Sequence, residues 1–458
     1  MTTTTPSPTT PAAAEPAADD HRRLGRRQVT GLLFGLAGLV LIFLVAPNLR
    51  ADTKSFAFEP PPDPLSISFS PPTVVRWIGV IWVLTAAFAF LPRRYDRWAL
   101  RAQLVAAALA VPLILAVALA LAPPRTTETN IANLFDQSLV LATPIALGAM
   151  TGLWCERSGI INIGIEGMML GAAGVGFAVF AVLGAASSTP WLWISIGVAI
   201  IAGGLLAALH AWLSISFNIN QIVSGVVINL FALGLTGFVR SEIIVPTGNS
   251  KGISTSEFGI PLLDQIPILG DTLFTNKPIH FMMYGVVFLT WLVMYRTAWG
   301  LRARSCGENP HAAETLGINV IATRYRTVIL GGLIAGLGGA WFSMESQSGF
   351  EDNMTNSAGF IALAAMIFGK WTPWGAFGGA LLFGFARALG SRLQFLNVTL
   401  GAEVTTDGRG EQVLEGGFAI PSEFFQMLPF IVTLVVVAGA LGRAIPPAAE
   451  GQPYTPSK

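Results

Sequence analysis

Charge is what this sequence has least of. Asp, Glu, Lys and Arg make up 12% of its 458 residues, about half the share found in soluble domains. The net charge of +1 by itself says nothing about a nucleic-acid partner, and none is expected. Two cysteines, Cys155 and Cys306, stand in segments expected at the cytoplasmic face, which argues against a disulfide and for inert thiols. The 4 histidines, His21, His210, His280 and His311, are scattered, and none stands near a Cys or a paired carboxylate at ligand spacing. No metal and no cofactor are expected. A phosphate-binding loop is missing too. Gly369-Lys370 comes nearest, but Trp371 stands where Ser or Thr is required and the earlier glycine is absent. No Ser–His–Asp grouping suggests itself, and a break in the helix pattern separates Glu156 from Glu166. The chain is not expected to be an enzyme.

What fills the space is hydrocarbon. Hydrophobic residues make up 53% of the chain, and they fall in runs close to the roughly 20 residues that cross a bilayer. The fold expected is an all-α polytopic membrane protein, with about ten to twelve transmembrane helices and some broken or re-entrant segments. Residues 1–28 are rich in Thr, Pro and Ala and read as a disordered cytoplasmic tail. Residues 29–127 hold three runs, 29–46, 74–91 and 104–122, and read as an N-terminal extension packed around a core. The core covers 128–445, with spans near 134–154, 167–184, 191–213, 222–239, 281–295, 328–344, 373–389 and 425–441. A short run, 358–368, reads as a half-span or a steeply broken helix, and a cytoplasmic tail, 446–458, closes the chain.

Basic residues set the sidedness. Arg22, Arg23, Arg26 and Arg27, then Arg93, Arg94, Arg97 and Arg101, then Arg296, Arg302, Arg304, Arg324 and Arg326 mark cytoplasmic segments. The N-terminus is accordingly expected in the cytoplasm. Residues 345–357 carry Glu345, Glu351 and Asp352 without a base and are expected outside. Arg387, Arg392 and Arg409 would then fall at or beyond the external face, against the trend.

One stretch interrupts the apolar pattern. Residues 156–171 read ERSGIINIGIEGMMLG. Glu156 and Arg157 stop one hydrophobic run, and Ser158 and Gly159 break helix geometry. Irregular backbone at membrane depth is tolerated where protein or a water-filled cavity surrounds it. Two readings stand: an inward-folded junction lining a path, or a tight cytoplasmic loop with Ser158 as an N-cap. In NQIVSGVVINLF, residues 220–231, Ser224 and Asn229 sit inside an apolar helix, where they either bond to neighbouring helices or meet solute. In WGLRARSCGENPHAAETLGI, residues 299–318, Asn309 is a natural N-cap, Pro310 suits the first helical position and Gly317 suits a C-cap. A surface helix of about two turns follows. In GFIALAAMIFGKWTPWGAFGG, residues 359–379, Trp371 and Trp374 are placed where indoles favour the headgroup level.

These four stretches resemble those of the inner-membrane permease subunits of ABC importers, in the branch that handles nucleosides, simple sugars and branched-chain amino acids. The wording SGIINIGIEG is most similar to the nucleoside and simple-sugar subgroup. The resemblance implies a permease in the plasma (inner) membrane and a cytoplasmic ATP-binding subunit. It also implies an extracytoplasmic solute-binding protein and a second permease, identical or related. It makes the segment holding Gly307, Glu308, Asn309, Pro310, Ala313 and Gly317 the element that docks into the ATPase. Asn162, Glu166, Gln221 and Asn229 are the residues expected along the solute path. A permease for branched-chain amino acids and a stand-alone secondary transporter are the alternatives. The second would need carboxylates deep inside the spans, and Asp136 and Glu166 lie near span ends. Without a phosphate-binding loop, the purified chain alone should show no ATPase activity above background. Saturable, magnesium-dependent hydrolysis by the isolated subunit would overturn the subunit reading.

Overall fold

The computed structural model describes residues 25–58, 65–92, 95–183, 189–249, 251–267, 269–406, 412–435 and 444–456. Most of the tail expected over 1–28 lies outside them, as do Arg93, Arg94, Arg409 and the end of the 425–441 run. The described residues form two compact units. Among them, nine helices are long and apolar enough to cross a membrane.

The smaller unit holds α1 (Arg26–Val40), α2 (Pro71–Ala89), α3 (Asp96–Ala108) and α4 (Ala110–Leu121). Its apolar residues point outward as much as inward. Leu36, Phe43 and Trp77 are exposed, while Ala46, Val75, Ile78 and Leu113 form the interior. That is the pattern of helices solvated by lipid, where close packing rather than water exclusion holds helices together. Gly38 supplies the close approach, since a Cβ there would stand 2.5 Å from the Gly79 carbonyl oxygen.

The larger unit is the helical bundle that carries the motifs. Its helices are α5 (Ile131–Glu156), α6 (Ile165–Val182), α7 (Thr189–Ala211), α8 (Gln221–Val239), the short α9 (Leu269–Phe274) and α10 (Pro278–Arg296). They are followed by α11 (Ala298–Glu308), α12 (Pro310–Thr315), α13 (Val320–Ala340), α14 (Ala358–Phe368), α15 (Pro373–Phe395), α16 (Ser422–Gln426) and α17 (Leu428–Val435). Many begin at a residue the sequence announces. The side chains of Asn130, Asn220, Thr297, Asn309, Asn319 and Thr372 each accept a hydrogen bond from a backbone N–H of the first turn. Pro278, Pro310 and Pro373 open three helices where a missing N–H costs nothing.

α5, α6 and α13 are the buried centre. Glycine lets α13 lie against α7. A Cβ on Gly336 would meet Ala199 O and Ile200 Cα at 2.6 Å, and one on Gly203 would meet Gly332 O at 2.5 Å. The spaced glycines of residues 332–336 are therefore a helix contact.

α14 is a broken crossing. It runs beside the C-terminal half of α5 in the same direction: Gly148 faces Ala362 and Gly152 faces Met366. At 11 residues it covers only part of the 26-residue α5. Lys370 and Trp371, both at φ 52, turn the chain, and α15 returns along α5, with Gly384 set against Ser138 and Ala142. Residues 444–456 lie against α11, where Ala449 N donates to Gly307 O at 2.9 Å.

Three side chains find partners that the sequence does not show. The Trp371 ring is buried and its Nε1 donates to Glu156 Oε2 at 2.6 Å, while Trp374 is exposed. Glu345 lies not in a loop but in the π-helical turn Trp341–Ser346 that continues α13. It is 2% exposed, and its carboxylate accepts from the backbone N–H groups of Ile279 and His280 at 2.8 and 3.2 Å, closing the start of α10. Arg387 lies within α15, one turn past the Gly384 contact with the middle of α5, and donates to Asn356 O.

Gly336→Leu should force α13 and α7 apart, because the obstacle is backbone rather than a flexible side chain. Overpacking of this kind costs about 1–3 kcal/mol, read as a lower unfolding temperature of the detergent-solubilised protein. Gly234→Ala, with nothing within 4 Å of the added Cβ, should leave that temperature nearly unchanged.

Candidate functional site

The break after α5 folds inward. Ser158, Ile160 and Asn162 are fully buried. Gly159 takes φ +92, and a Cβ there would stand 2.7 Å from Arg324 Nη2 and 3.2 Å from Ala449 O, so glycine is required twice over. Ser158 does not cap α6. Its hydroxyl donates to Cys155 O at 2.8 Å and accepts from Thr327 Oγ1 at 2.7 Å, which ties the junction to α13. Gly164 occupies the N-cap position instead.

The four residues expected along a path hold this junction together. Asn162 Oδ1 accepts from Gly164 N at 3.0 Å, and its Nδ2 faces the sulfurs of Cys155 and Met168. Gln221 Oε1 accepts from Ile161 N at 2.7 Å. Asn229 Oδ1 accepts from Gly167 N at 2.7 Å while its Nδ2 donates to Ile163 O at 3.0 Å. Ser224 bonds to His210, whose other ring nitrogen faces Ile161 O at 3.0 Å. Glu166 reaches further. Its carboxylate accepts from Thr355 Oγ1 at 2.6 Å, Ser357 N at 2.9 Å and Gly359 N at 2.6 Å, and so closes the first turn of α14. These side chains are braces. Irregular backbone at this depth needs every polar group satisfied from within, and the amides of α8 satisfy it.

Charges in the site sit at helix ends. Glu166 lies at the N-terminus of α14, where exposed N–H groups favour an anion. Arg324, 2% exposed, donates from Nε to Ser158 O at 3.1 Å and from Nη2 to Cys306 O at 3.4 Å. Arg157 donates to Trp371 O at 2.9 Å, just past the end of α14. Both cations meet carbonyls that a terminated helix leaves without partners.

The segment expected to couple forms as the sequence announces it. Asn309 Oδ1 accepts from Ala312 N at 3.0 Å, and Gly317 ends α12 at φ +79. Ala313 is buried with Cys306, Val320 and Tyr454, while Leu316 is 80% exposed. Burial pushes the Cys306 thiol up, which keeps it protonated and inert. Gly307 packs on the Arg157 carbonyl, and Glu308 lies 3.8 Å from Arg157. The C-terminal tail completes the assembly. Ala449 N donates to Gly307 O at 2.9 Å, Gly451 N to Gly159 O at 3.1 Å, and the Tyr454 ring lies 5.7 Å from the Arg324 guanidinium. Among the described residues, no cluster of His, Cys, Asp or Glu could hold a metal.

Residues 134–441 match the family described as branched-chain amino acid transport system / permease component. The chain belongs to this permease family. It is similar to the nucleoside ABC transporter permease protein NupC of Lactococcus lactis, with 38% identity over 73% of this chain and 99% of that relative. It is equally similar to the guanosine ABC transporter permease protein NupQ of Bacillus subtilis, at 38% identity over 70% of this chain and 96% of NupQ. A putative glucose ABC transporter permease of Haloferax volcanii, TsgC13, is 33% identical over 68% of this chain and 92% of its own length. No solved structure matches.

Sequence reasoning about the permease missed Arg324, Thr327, Ala449, Gly451 and Tyr454. By sequence Arg324 reads as one more base beside Arg326, and nothing local separates the two, although only Arg324 is buried. The tail residues carry no local signal, because their partners lie more than a hundred residues away. Glu166→Ala should leave three buried donors facing a void. Each bond to a charged acceptor contributes about 1.5–3 kcal/mol, so a large fall in unfolding temperature is expected. Glu166→Gln, which keeps an acceptor but loses the charge, should fall less. Equal stability of both variants and the wild type would show that the α14 turn does not depend on this carboxylate.

Proposed function

We propose that this permease is the transmembrane subunit of an ABC importer in the plasma membrane, moving a nucleoside or simple sugar inward. ATP is hydrolysed by a separate cytoplasmic subunit. The relatives NupC and NupQ, named for nucleoside and guanosine transport, support the solute class. A solute-binding protein delivers the solute at the outer face, and a second permease, the same chain or a related one, completes the pathway. The N-terminus lies in the cytoplasm, on the side of the basic segments. Residues 128–445 act as the permease core, a reading supported by a family match that begins at residue 134.

The observation that carries this reading is the pairing of α12 with the junction. A two-turn helix has little stability of its own. Here it is capped at both ends and braced from behind by Ala313, and its outer residues His311, Ala312, Thr315 and Leu316 stay exposed. Through Gly307, Arg324 and the tail, it is tied to the junction after α5. A push on α12 from the ATPase therefore reaches the membrane break directly. Gly307, Glu308, Asn309, Pro310, Ala313 and Gly317 form this docking element. Asn162, Glu166, Gln221 and Asn229 act by holding the junction in shape beside the path.

Gly317→Val tests it. Nothing crowds the position, so the penalty comes only from a β-branched residue at positive φ, about 1–2 kcal/mol. The altered segment lies outside the bilayer, and insertion should be normal. Solute uptake in vesicles and co-purification of the ATPase should both fall. Normal uptake by a protein shown to carry the change would mean that this loop does not couple.

A further inference from the structure

The braces around the junction leave open where the solute rests. We infer that a cavity of about 400 Å3 between α5, the start of α14, α15 and the α16–α17 pair binds it, with Asn356, Arg387, Ser391, Gln394 and Gln426 as its polar wall. The inference rests on the reading of the chain as an importer permease and gives that reading a binding site.

Three observations meet there. The first is depth. Leu141, near the middle of α5, and Ile361, in the first turn of α14, line the same cavity, so it lies within the membrane rather than on a loop. The second is the backbone. Ahead of α14 the chain is unwound, with Asn353, Asn356 and Ser357 at φ 55, 43 and 62. Asparagine tolerates left-handed backbone, but at Ser357 it is costly and persists where the surroundings enforce it. Irregular backbone at this depth is confined to places walled by protein or lining a cavity.

The third is the side chains. Arg387, Ser391 and Gln394 follow one another at helical spacing along one face of α15. Arg387 donates to the Asn356 carbonyl at 2.7 Å, so the guanidinium is held at the mouth of the α14 turn. Ser391, Gln394 and Gln426 are exposed. An arginine and exposed amides on one helix face cannot be solvated by lipid tails. A larger groove of about 620 Å3 makes the contrast, because its wall is mainly Ile131, Phe135, Leu139, Leu381, Leu382 and Phe385, which lipid satisfies.

The chemistry of the wall names the ligand class. The amides of Gln394 and Gln426 each offer donors and an acceptor, and the guanidinium offers donors only. Phe425 and Phe430 add apolar faces. The Arg387 guanidinium is engaged with the Asn356 carbonyl and the rest of the polar wall is neutral, so the site calls for no charge on its ligand. An uncharged solute with a flat ring and several hydroxyl or carbonyl groups fits, which is the description of a nucleoside. The volume lies within the range of small-molecule sites.

The test uses the complete transporter in vesicles, with radiolabelled guanosine as the probe and glucose in parallel. Gln394→Leu should raise the apparent KM for guanosine at least tenfold while the ATPase co-purifies as in wild type. Ser391→Cys should react with a small water-soluble thiol reagent, and saturating guanosine should slow that reaction at least tenfold. Cys155 and Cys306 are buried and should not interfere. An unchanged KM, or a reaction of the introduced thiol that is absent or indifferent to guanosine, overturns the site while leaving the importer reading intact. Wild-type vesicles that accumulate neither guanosine nor glucose overturn the solute class itself and the site's ligand with it.

Discussion

The larger unit depends on where its buried charges find partners. Glu166 is the plainest case. It stands 7% exposed in the first turn of α6, and its three hydrogen bonds hold the start of a helix far away in sequence. An unpaired buried carboxylate costs several kcal/mol, and so does a helix end left unsatisfied in a membrane. Each defect repairs the other. Glu345 does the same for α10, and Arg324 and Arg157 do the reverse at carbonyl ends. A bundle with so little charge uses what it has to fasten broken helices.

Fastening of this kind bears on motion. A continuous span is held along its whole length by its own hydrogen bonds. α14 is held at its start by Glu166 and at its end by the turn through Trp371, whose indole donates to Glu156 and whose carbonyl accepts from Arg157 and Tyr295. Both anchors flank the junction between α5 and α6. Displacement of that junction moves both ends of α14 together. The tail, α11 and α12 press on the same junction, with Gly451 bonded to Gly159 and Glu450 beside Glu156. Burial pushes the Glu450 carboxyl up, against the pull of Glu156 and Arg157.

Glycine makes the contacts short enough for this to work. Gly159 takes a backbone that other residues resist and lies between Arg324 and the tail. Gly307 sits on the Arg157 carbonyl, and Gly225 lets α8 reach the junction, where a Cβ would meet Gly164 N at 2.8 Å. In lipid, packing of this closeness takes the place of hydrophobic association.

The sequence by itself determined the membrane class, the start of most helices and the short capped helix after α11. These follow from local chemistry: the length of apolar runs, an Asn or Thr ahead of a first turn, a proline at its opening, a glycine at its close. The same local reading found the break at Ser158 and Gly159 but could not say which way it folds. It gave no partner for Trp371 or Glu345, because nothing near either residue in sequence reveals what buries it. It marked Asn162, Glu166, Gln221 and Asn229 as exceptional without naming what they bond to. Only the tertiary structure supplied those partners, since they come from other helices and from the junction backbone. The polar face of α15 was legible only as scattered residues until the broken α14 and the last helices closed a cavity around it.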